Sequence, residues 1–138
     1  MKYIFRALIL FLLLFSGLYA NEYRSTKIIK LKKDENKKII IKYAKVQKLF
    51  KFRWTLYVNG GLVILRAYDR VVAQNILYKR YKNQTFRLPL KIRGADLYNP
   101  PYILVKFLEF DYEKNEAIFK LFLSDKSSQV SLEYLENS

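Results

Sequence analysis

Apolar and polar residues alternate with a period of two over residues 50–58, which is the pattern of a β-strand with one buried face. One face carries Phe50, Phe52, Trp54, Leu56 and Val58, and the other carries Lys51, Arg53, Thr55 and Tyr57. Asn59 and Gly60 follow, and both residue types tolerate the positive φ angles that a two-residue type I′ turn requires. The pattern therefore predicts a hairpin in which a second strand returns over residues 62–68.

The register of this hairpin follows from keeping one face apolar. A two-residue turn pairs Trp54 with Leu65, whereas a slip of one residue would bring Arg66 opposite Trp54. On the polar face, the favoured register places Arg53 directly across from Arg66. The sequence thus predicts two like charges facing each other on an exposed sheet surface.

Similar patterns predict further strands at 26–31, 39–46, 85–92, 102–112 and 117–123. Pro89 falls on the outward side of 85–92 and has no backbone N–H, so this strand is expected at a sheet edge. The apolar positions of 102–112 change parity between Phe107 and Leu108, which predicts a β-bulge.

Two segments remain open between alternatives. Asp69 can cap a short helix over residues 70–81, but Val71 and Val72 favour a strand there, and the strand is preferred. Residues 124–138 form a polar C-terminal tail in which Val130, Leu132 and Tyr134 alternate, so the tail either adds an edge strand or frays.

Many short strands joined by tight turns predict an all-β fold, an antiparallel β-sandwich with the general architecture of immunoglobulin-like domains. A partly open β-barrel is the alternative. The chain of 138 residues is long enough for a single domain, assigned to residues 21–123.

The first 20 residues have the features of a secretory signal peptide. Lys2 and Arg6 precede a wholly apolar run, and small residues including Ala20 end the segment. The uncharged stretch 7–20 is shorter than the roughly 20 residues that a membrane-spanning helix needs. We therefore expect a periplasmic or otherwise exported protein; the alternative is an uncleaved segment that anchors the domain to the outer side of the inner membrane.

The composition of the chain excludes several kinds of bond, metal site and catalytic group. The chain contains no cysteine and no histidine, which removes disulfides, thiol nucleophiles, the commonest zinc ligands and the usual neutral-pH general base. Glu109, Asp111 and Glu113 alternate along a predicted strand, but carboxylates on a straight strand do not converge on a cation. The sequence therefore predicts no enzyme activity, no metal site and no cofactor.

The chain is strongly basic, and its charged residues are unevenly distributed along the sequence. The net charge is +14, and residues 21–93 hold 20 basic against 4 acidic side chains, whereas residues 94–138 hold 4 basic against 8 acidic. Such asymmetry predicts a cationic surface for an anionic partner. Membrane association is a further possibility, through charge or through an uncleaved anchor.

The candidate binding residues lie on the polar face of the predicted hairpin: Lys51, Arg53, Tyr57, Arg66 and Tyr68. Two facing guanidinium groups can grip phosphate or carboxylate, and the tyrosine rings offer stacking surfaces. In the alternative interpretation, the long side chains extend into water or meet acidic neighbours such as Asp69.

These observations predict a non-enzymatic envelope binding module whose partner is an anionic envelope polymer, a lipid or an acidic protein. A second hypothesis is a structural or assembly subunit of an envelope complex that pairs through an edge strand such as 85–92. Single-stranded nucleic acid is the weakest of the three partners, because only charge and aromatic content support it and export argues against it.

Overall fold

The computed structural model describes residues 23–80, 83–94 and 98–138, and these residues form nine β-strands and no helix. The strands are β1 (Ser25–Lys32), β2 (Lys37–Tyr43), β3 (Val46–Val58), β4 (Gly61–Tyr68), β5 (Val71–Tyr78), β6 (Thr85–Pro89), β7 (Tyr102–Asp111), β8 (Glu116–Ser124) and β9 (Ser131–Tyr134). The predicted all-β class is confirmed.

The strands form two antiparallel sheets that pack against each other. The four-stranded sheet has the order β1-β8-β7-β6, and the five-stranded sheet has the order β5-β4-β3-β2-β9. Within each sheet most neighbours are consecutive strands, and the chain crosses between the sheets after β1, β5 and β8. The predicted sandwich is confirmed, and the described strands do not close into a barrel.

Two-residue turns that contain positive φ angles join β2 to β3, β3 to β4 and β4 to β5. Asn59 and Gly60 have φ angles of 54° and 78°, as predicted for a type I′ turn. The predicted strand 39–46 is wrong at its end, because the chain reverses at Ala44 and Tyr43 pairs with Val46. This turn lacks the glycine, asparagine and proline signals by which turns are read from sequence.

The preferred interpretation of residues 70–81 is also confirmed, since β5 is a strand. Asp69 and Arg70 adopt φ angles of 49° and 65° and form the turn before it, so Asp69 does not cap a helix.

Two β-bulges change which face the side chains occupy. One lies in β7 between Phe107 and Glu109, where the sequence predicts it. The other lies in β3 between Trp54 and Leu56, where the apolar alternation is unbroken and does not predict a bulge. Because of it, Leu56 is 49% exposed although Trp54 is buried. This second bulge overturns the predicted faces at the end of β3.

The core between the sheets is aromatic. Phe52 makes edge-on contacts with Phe86 and Phe119, at centroid distances of 6.2 and 5.4 Å. The indole N–H of Trp54 donates a 2.7 Å hydrogen bond to the carbonyl oxygen of Leu31, which links β3 to β1 in the opposite sheet. Side chains from both sheets therefore fix how the two sheets face each other.

The C-terminal tail adds an edge strand, one of the two predicted alternatives. β9 pairs with β2, and Val130 before it is only 1% exposed. Asp125 shapes the connection by accepting the backbone N–H groups of Ser127 and Val130 and pairing with Arg24 at 3.2 Å. Burial alone would raise the pKa of Asp125, but the hydrogen bonds and Arg24 hold it below its ordinary value.

The predicted signal segment lies outside the described residues, so its cleavage stays a prediction. Among the residues that are described, no helix has the length and apolar character needed to cross a membrane.

Candidate functional site

The five residues predicted to share one polar face lie on two different faces. Lys51 and Arg53 point to the outer surface of the five-stranded sheet, on the side opposite the buried Phe50 and Phe52. Arg53 pairs with Leu65, so the predicted opposition of Arg53 and Arg66 is wrong. The cause is the bulge at Thr55, which offsets the register by one residue between the turn and the middle of the hairpin.

Arg66 lies on the inner side of the five-stranded sheet. It pairs with Phe52, its guanidinium lies 4.9 Å from the ring centre of Phe86, and its Nε donates a 2.8 Å hydrogen bond to Asn75. Burial lowers the pKa of this guanidinium, which stays charged at neutral pH. Arg66 therefore packs along the rim of the core and does not extend from an outer face.

Tyr68 is a core residue. It is 6% exposed, and its hydroxyl donates a 2.5 Å hydrogen bond to the carbonyl oxygen of Leu90 in the segment after β6. Burial, together with the nearby Asp69, raises the pKa of Tyr68 to about 12. Its hydroxyl is committed to joining the two sheets and is not offered to a ligand.

Tyr57 lies at the open end of the sandwich. Its ring stacks on Phe110 at 4.2 Å, and its hydroxyl lies 3.1 Å from that of Tyr112, a hydrogen bond that together with burial raises the pKa of Tyr57 to about 12. A shallow cleft beside these rings also has Lys79 and Arg80 in its lining. Tyr57 therefore lines an open cleft, whereas Arg66 and Tyr68 line a separate cleft between β4 and the end of β6.

A different set of basic residues crosses the outer surface of the four-stranded sheet. We call this set the basic band, and its members, one from each strand, are Lys30 of β1, Lys120 of β8, Lys106 of β7 and Arg87 of β6. All four side chains have the parity opposite to the buried positions of their strands, so they point away from the core.

The pairing of the strands gives the band its diagonal course. Lys106 and Lys120 are direct cross-strand partners on the two central strands. Lys30 pairs with Ile118, two residues to one side of Lys120, and Arg87 pairs with Leu104, two residues to the other side of Lys106. The four positive charges therefore follow one line across the sheet.

Aromatic rings lie beside the band. Lys120 lies over the ring of Phe122 at 5.3 Å from its centre, and Arg87 lies over the ring of Tyr102 at 3.5 Å. Each cation is attracted to the negative face of its ring, which holds the charge near the sheet surface without neutralising it.

The facing lysines are electrostatically unfavourable in the isolated chain. Like charges directly opposite each other on a sheet repel, and both lysines are half-buried. The ion pairs found among the described residues, Arg24–Asp125, Lys42–Glu133 and Lys48–Asp69, involve none of the band's members. Glu109 lies on the same face, opposite Ile118, without a salt bridge to the band. None of the salt bridges among the described residues therefore neutralises the band.

The facing lysines could have been predicted from the sequence, but the sequence analysis did not pair these two strands. The turn at 113–116 and the bulge between Phe107 and Leu108 are both predicted, and together they align Lys106 with Lys120. The uneven charge distribution favoured residues 21–93 as the basic surface, whereas Lys106 and Lys120 belong to the acidic C-terminal part of the chain.

One of the three alternating carboxylates, Asp111 of β7, has a structural role. The side chain of Asp111 accepts the backbone N–H groups of Glu113 and Lys114 at 3.1 and 3.2 Å and so shapes the turn before β8. Within the described parts of the chain, no group of three or more acidic residues is arranged to hold a metal ion.

Comparison with known proteins gives no relative for this chain. No family model matches it, and neither the curated proteins nor the solved structures contain a match.

Proposed function

We propose that the mature chain is a non-enzymatic binding module of the bacterial cell envelope and that the basic band binds an anionic polymer of that compartment. The observation that carries this proposal is the line of four basic side chains across the four-stranded sheet, with Lys106 opposite Lys120 at its centre. An anion placed between the two ammonium groups converts their repulsion into two favourable contacts.

The length of the band favours a polymer over a small anion. Strands lie about 4.8 Å apart and residues rise about 3.3 Å along a strand, so a band that crosses four strands while advancing four residues is about 20 Å long. A single phosphate would contact only the central lysines. A chain with repeated phosphate or carboxylate groups would reach Lys30 and Arg87 as well, and its apolar parts would meet Phe122 and Tyr102.

Binding is favoured over catalysis because the band supplies positive charge and hydrogen-bond donors rather than a nucleophile with an activating base. The envelope is favoured as the compartment because the first 20 residues combine a positive start, an apolar run and small residues at the end.

The test compares two double variants of the mature protein that remove the same charge. The first variant combines Lys106→Gln with Lys120→Gln and removes both positive charges at the centre of the band. The matched control is Lys38→Gln with Lys51→Gln, because these lysines also face each other, on the outer surface of the five-stranded sheet. Affinity for lipopolysaccharide and for polygalacturonate is measured at low and high salt, with neutral dextran as the uncharged probe.

The band variant should bind the charged polymers about tenfold more weakly, a loss of roughly 1.4 kcal/mol, and with a shallower salt dependence, while the control changes affinity by less than about twofold. Relief of the lysine repulsion should also raise the stability of the band variant at low salt by about 0.2–1 kcal/mol, which separates lost binding from lost folding. Equal binding by the band variant and the wild type would remove the site. A loss confined to the control would instead move the site to the face of Lys51 and Arg53.

A further inference from the structure

A cleft opens between β5 and β6, which border their two sheets on the same side of the sandwich. β5 has eight residues and β6 has only five, and Val71 on the inner face of β5 is 60% exposed. The shorter strand therefore leaves part of the longer one uncovered. The cleft has a volume of about 220 Å³, and its apolar lining includes Val71, Ala73, Leu88 and Pro89.

Arg66 brings a positive charge into this cleft. It is the cross-strand partner of Ala73, and its guanidinium lies 4.9 Å from the ring centre of Phe86. Its Nε donates to Asn75, which occupies one of the five N–H donors of the group. The hydrogen bonds and ion pairs among the described residues leave the two terminal nitrogens of Arg66 without an acceptor. Four N–H donors are therefore available to a ligand.

The charges that line the cleft favour an anion with a single negative charge. Burial alone shifts the pKa of Arg66, and it lowers this pKa, whereas a carboxylate close to the guanidinium would raise it. Lys91 adds a second positive charge to the lining. Asp69 adds a negative charge, but Lys48 pairs with it at 3.3 Å. The lining thus has an excess of positive charge, while Asp69 disfavours a ligand with two negative charges.

We propose that this cleft binds a small organic acid, with the carboxylate on the terminal nitrogens of Arg66 and the apolar body against Val71 and Ala73. The planar fork of a guanidinium matches a carboxylate, which accepts two parallel hydrogen bonds from it. The volume of the cleft equals that of about seven water molecules, which suits a small acid rather than a long acyl chain. This site is separate from the basic band, which lies on the outer surface of the four-stranded sheet.

Hexanoate is the probe that tests the site, because it combines one carboxylate with a short apolar chain. Acetate lacks the apolar chain, and 1-hexanol lacks the charge. Each compound is titrated into the protein, and the shifts of the backbone amide signals in NMR spectra give the affinity and the position of binding. Hexanoate should give saturable shifts at Val71, Ala73 and Leu88, and the other two compounds should bind about tenfold more weakly or not at all.

Two variants of the cleft and one matched control separate this site from general attraction to a basic protein. Arg66→Gln removes the charge and should weaken the binding of hexanoate by about tenfold or more. Arg53→Gln is the control, because it removes the same charge from the outer face of the same sheet, and it should change the affinity by less than about twofold. Ala73→Leu keeps the charge but fills the cleft, so it should weaken binding even if Arg66→Gln fails to fold.

The combined Lys106→Gln and Lys120→Gln variant should bind hexanoate as the wild type does, so this site and the basic band can fail independently. Shifts that do not saturate up to about 10 mM hexanoate overturn the inference. Equal binding by the wild type and by both cleft variants also overturns it. An equal loss in Arg53→Gln and Arg66→Gln has the same consequence, because the acid then responds to the net charge and not to the cleft.

Discussion

At the scale of single residues, Tyr68 shows that the role assigned to a side chain depends on which face of the sheet it occupies. Alternation in the hairpin placed it on an outer face with Arg53, where its ring was expected to serve a ligand. In the structure it is buried and its hydroxyl reaches Leu90 across the sandwich. A tyrosine at this position therefore contributes a cross-sheet hydrogen bond that phenylalanine cannot make.

Tyr68→Phe should lower the free energy of unfolding by about 1 kcal/mol, because the buried carbonyl oxygen of Leu90 loses its donor. Tyr43→Phe removes a hydroxyl from a half-buried position at the end of β2 and should cost less. Chemical denaturation of both variants at neutral pH measures the difference. Equal stability of the two variants would show that the cross-sheet hydrogen bond contributes nothing measurable.

The stability that Tyr68→Phe loses relative to the wild type should depend on pH. The pKa of Tyr68 is raised in the folded state to about 12, from 10.0 for an unperturbed tyrosine, so its contribution is present below pH 10 and is lost as the pH rises toward 12. The stability difference between wild type and Tyr68→Phe should therefore shrink over that alkaline range.

At the scale of elements, the bulge in β3 decides which residues the hairpin exposes. Thr55 is the extra residue, since Trp54 pairs with Ile64 and Leu56 pairs with Val63. If Thr55 were paired regularly with β4, Leu56 would lie on the inner face with Phe52 and Trp54. The bulge thus explains both the exposed Leu56 and the failure of the predicted arginine pair.

Deletion of Thr55 should preserve the fold, because the ladder becomes regular and every other side chain keeps its face. Deletion of Arg53 should not, because it forces either Trp54 or both Phe50 and Phe52 to the outer face, at a cost of several kcal/mol. Thermal unfolding of the two deletion variants is the measurement. The account of the bulge is wrong if the Arg53 deletion is the more stable of the two.

At the scale of the whole molecule, folding redistributes a charge asymmetry that is large along the chain. Lys30 and Arg87 come from the basic part of the sequence, whereas Lys106 and Lys120 come from the part rich in acidic residues. Antiparallel pairing aligns all four across one sheet. The basic band therefore depends on strand order rather than on the local density of lysine.

Export is a prediction about the molecule as a whole, and the mature N-terminus tests it. Cleavage after Ala20 leaves Asn21 as the first residue, so intact-mass measurement of protein from the envelope fraction should show that start. Leu18→Ala should sharpen the cleavage, because a small residue is preferred two positions before Ala20. Full-length protein dissolved in the cytosol would contradict both the location and the envelope role.

Several features of the fold are legible in the sequence because they rest on local chemistry. The Asn59–Gly60 turn needs positive φ, the parity change at Phe107 requires a bulge, and Pro89 cannot donate to a neighbouring strand. The turn at Ala44 carries no such signal, since alanine and lysine are not typical turn residues, and Asp69 suits either a turn or a helix cap.

The sequence by itself determined the all-β class, the sandwich and most strand positions, because a period of two and turn chemistry are properties of neighbouring residues. Only the tertiary structure decided which charges meet. A bulge in β3 separated Arg53 from Arg66, and pairing between β7 and β8 brought Lys106 opposite Lys120. The physical reason is that a shift of one residue reverses every side chain beyond it, and the core as a whole selects that shift.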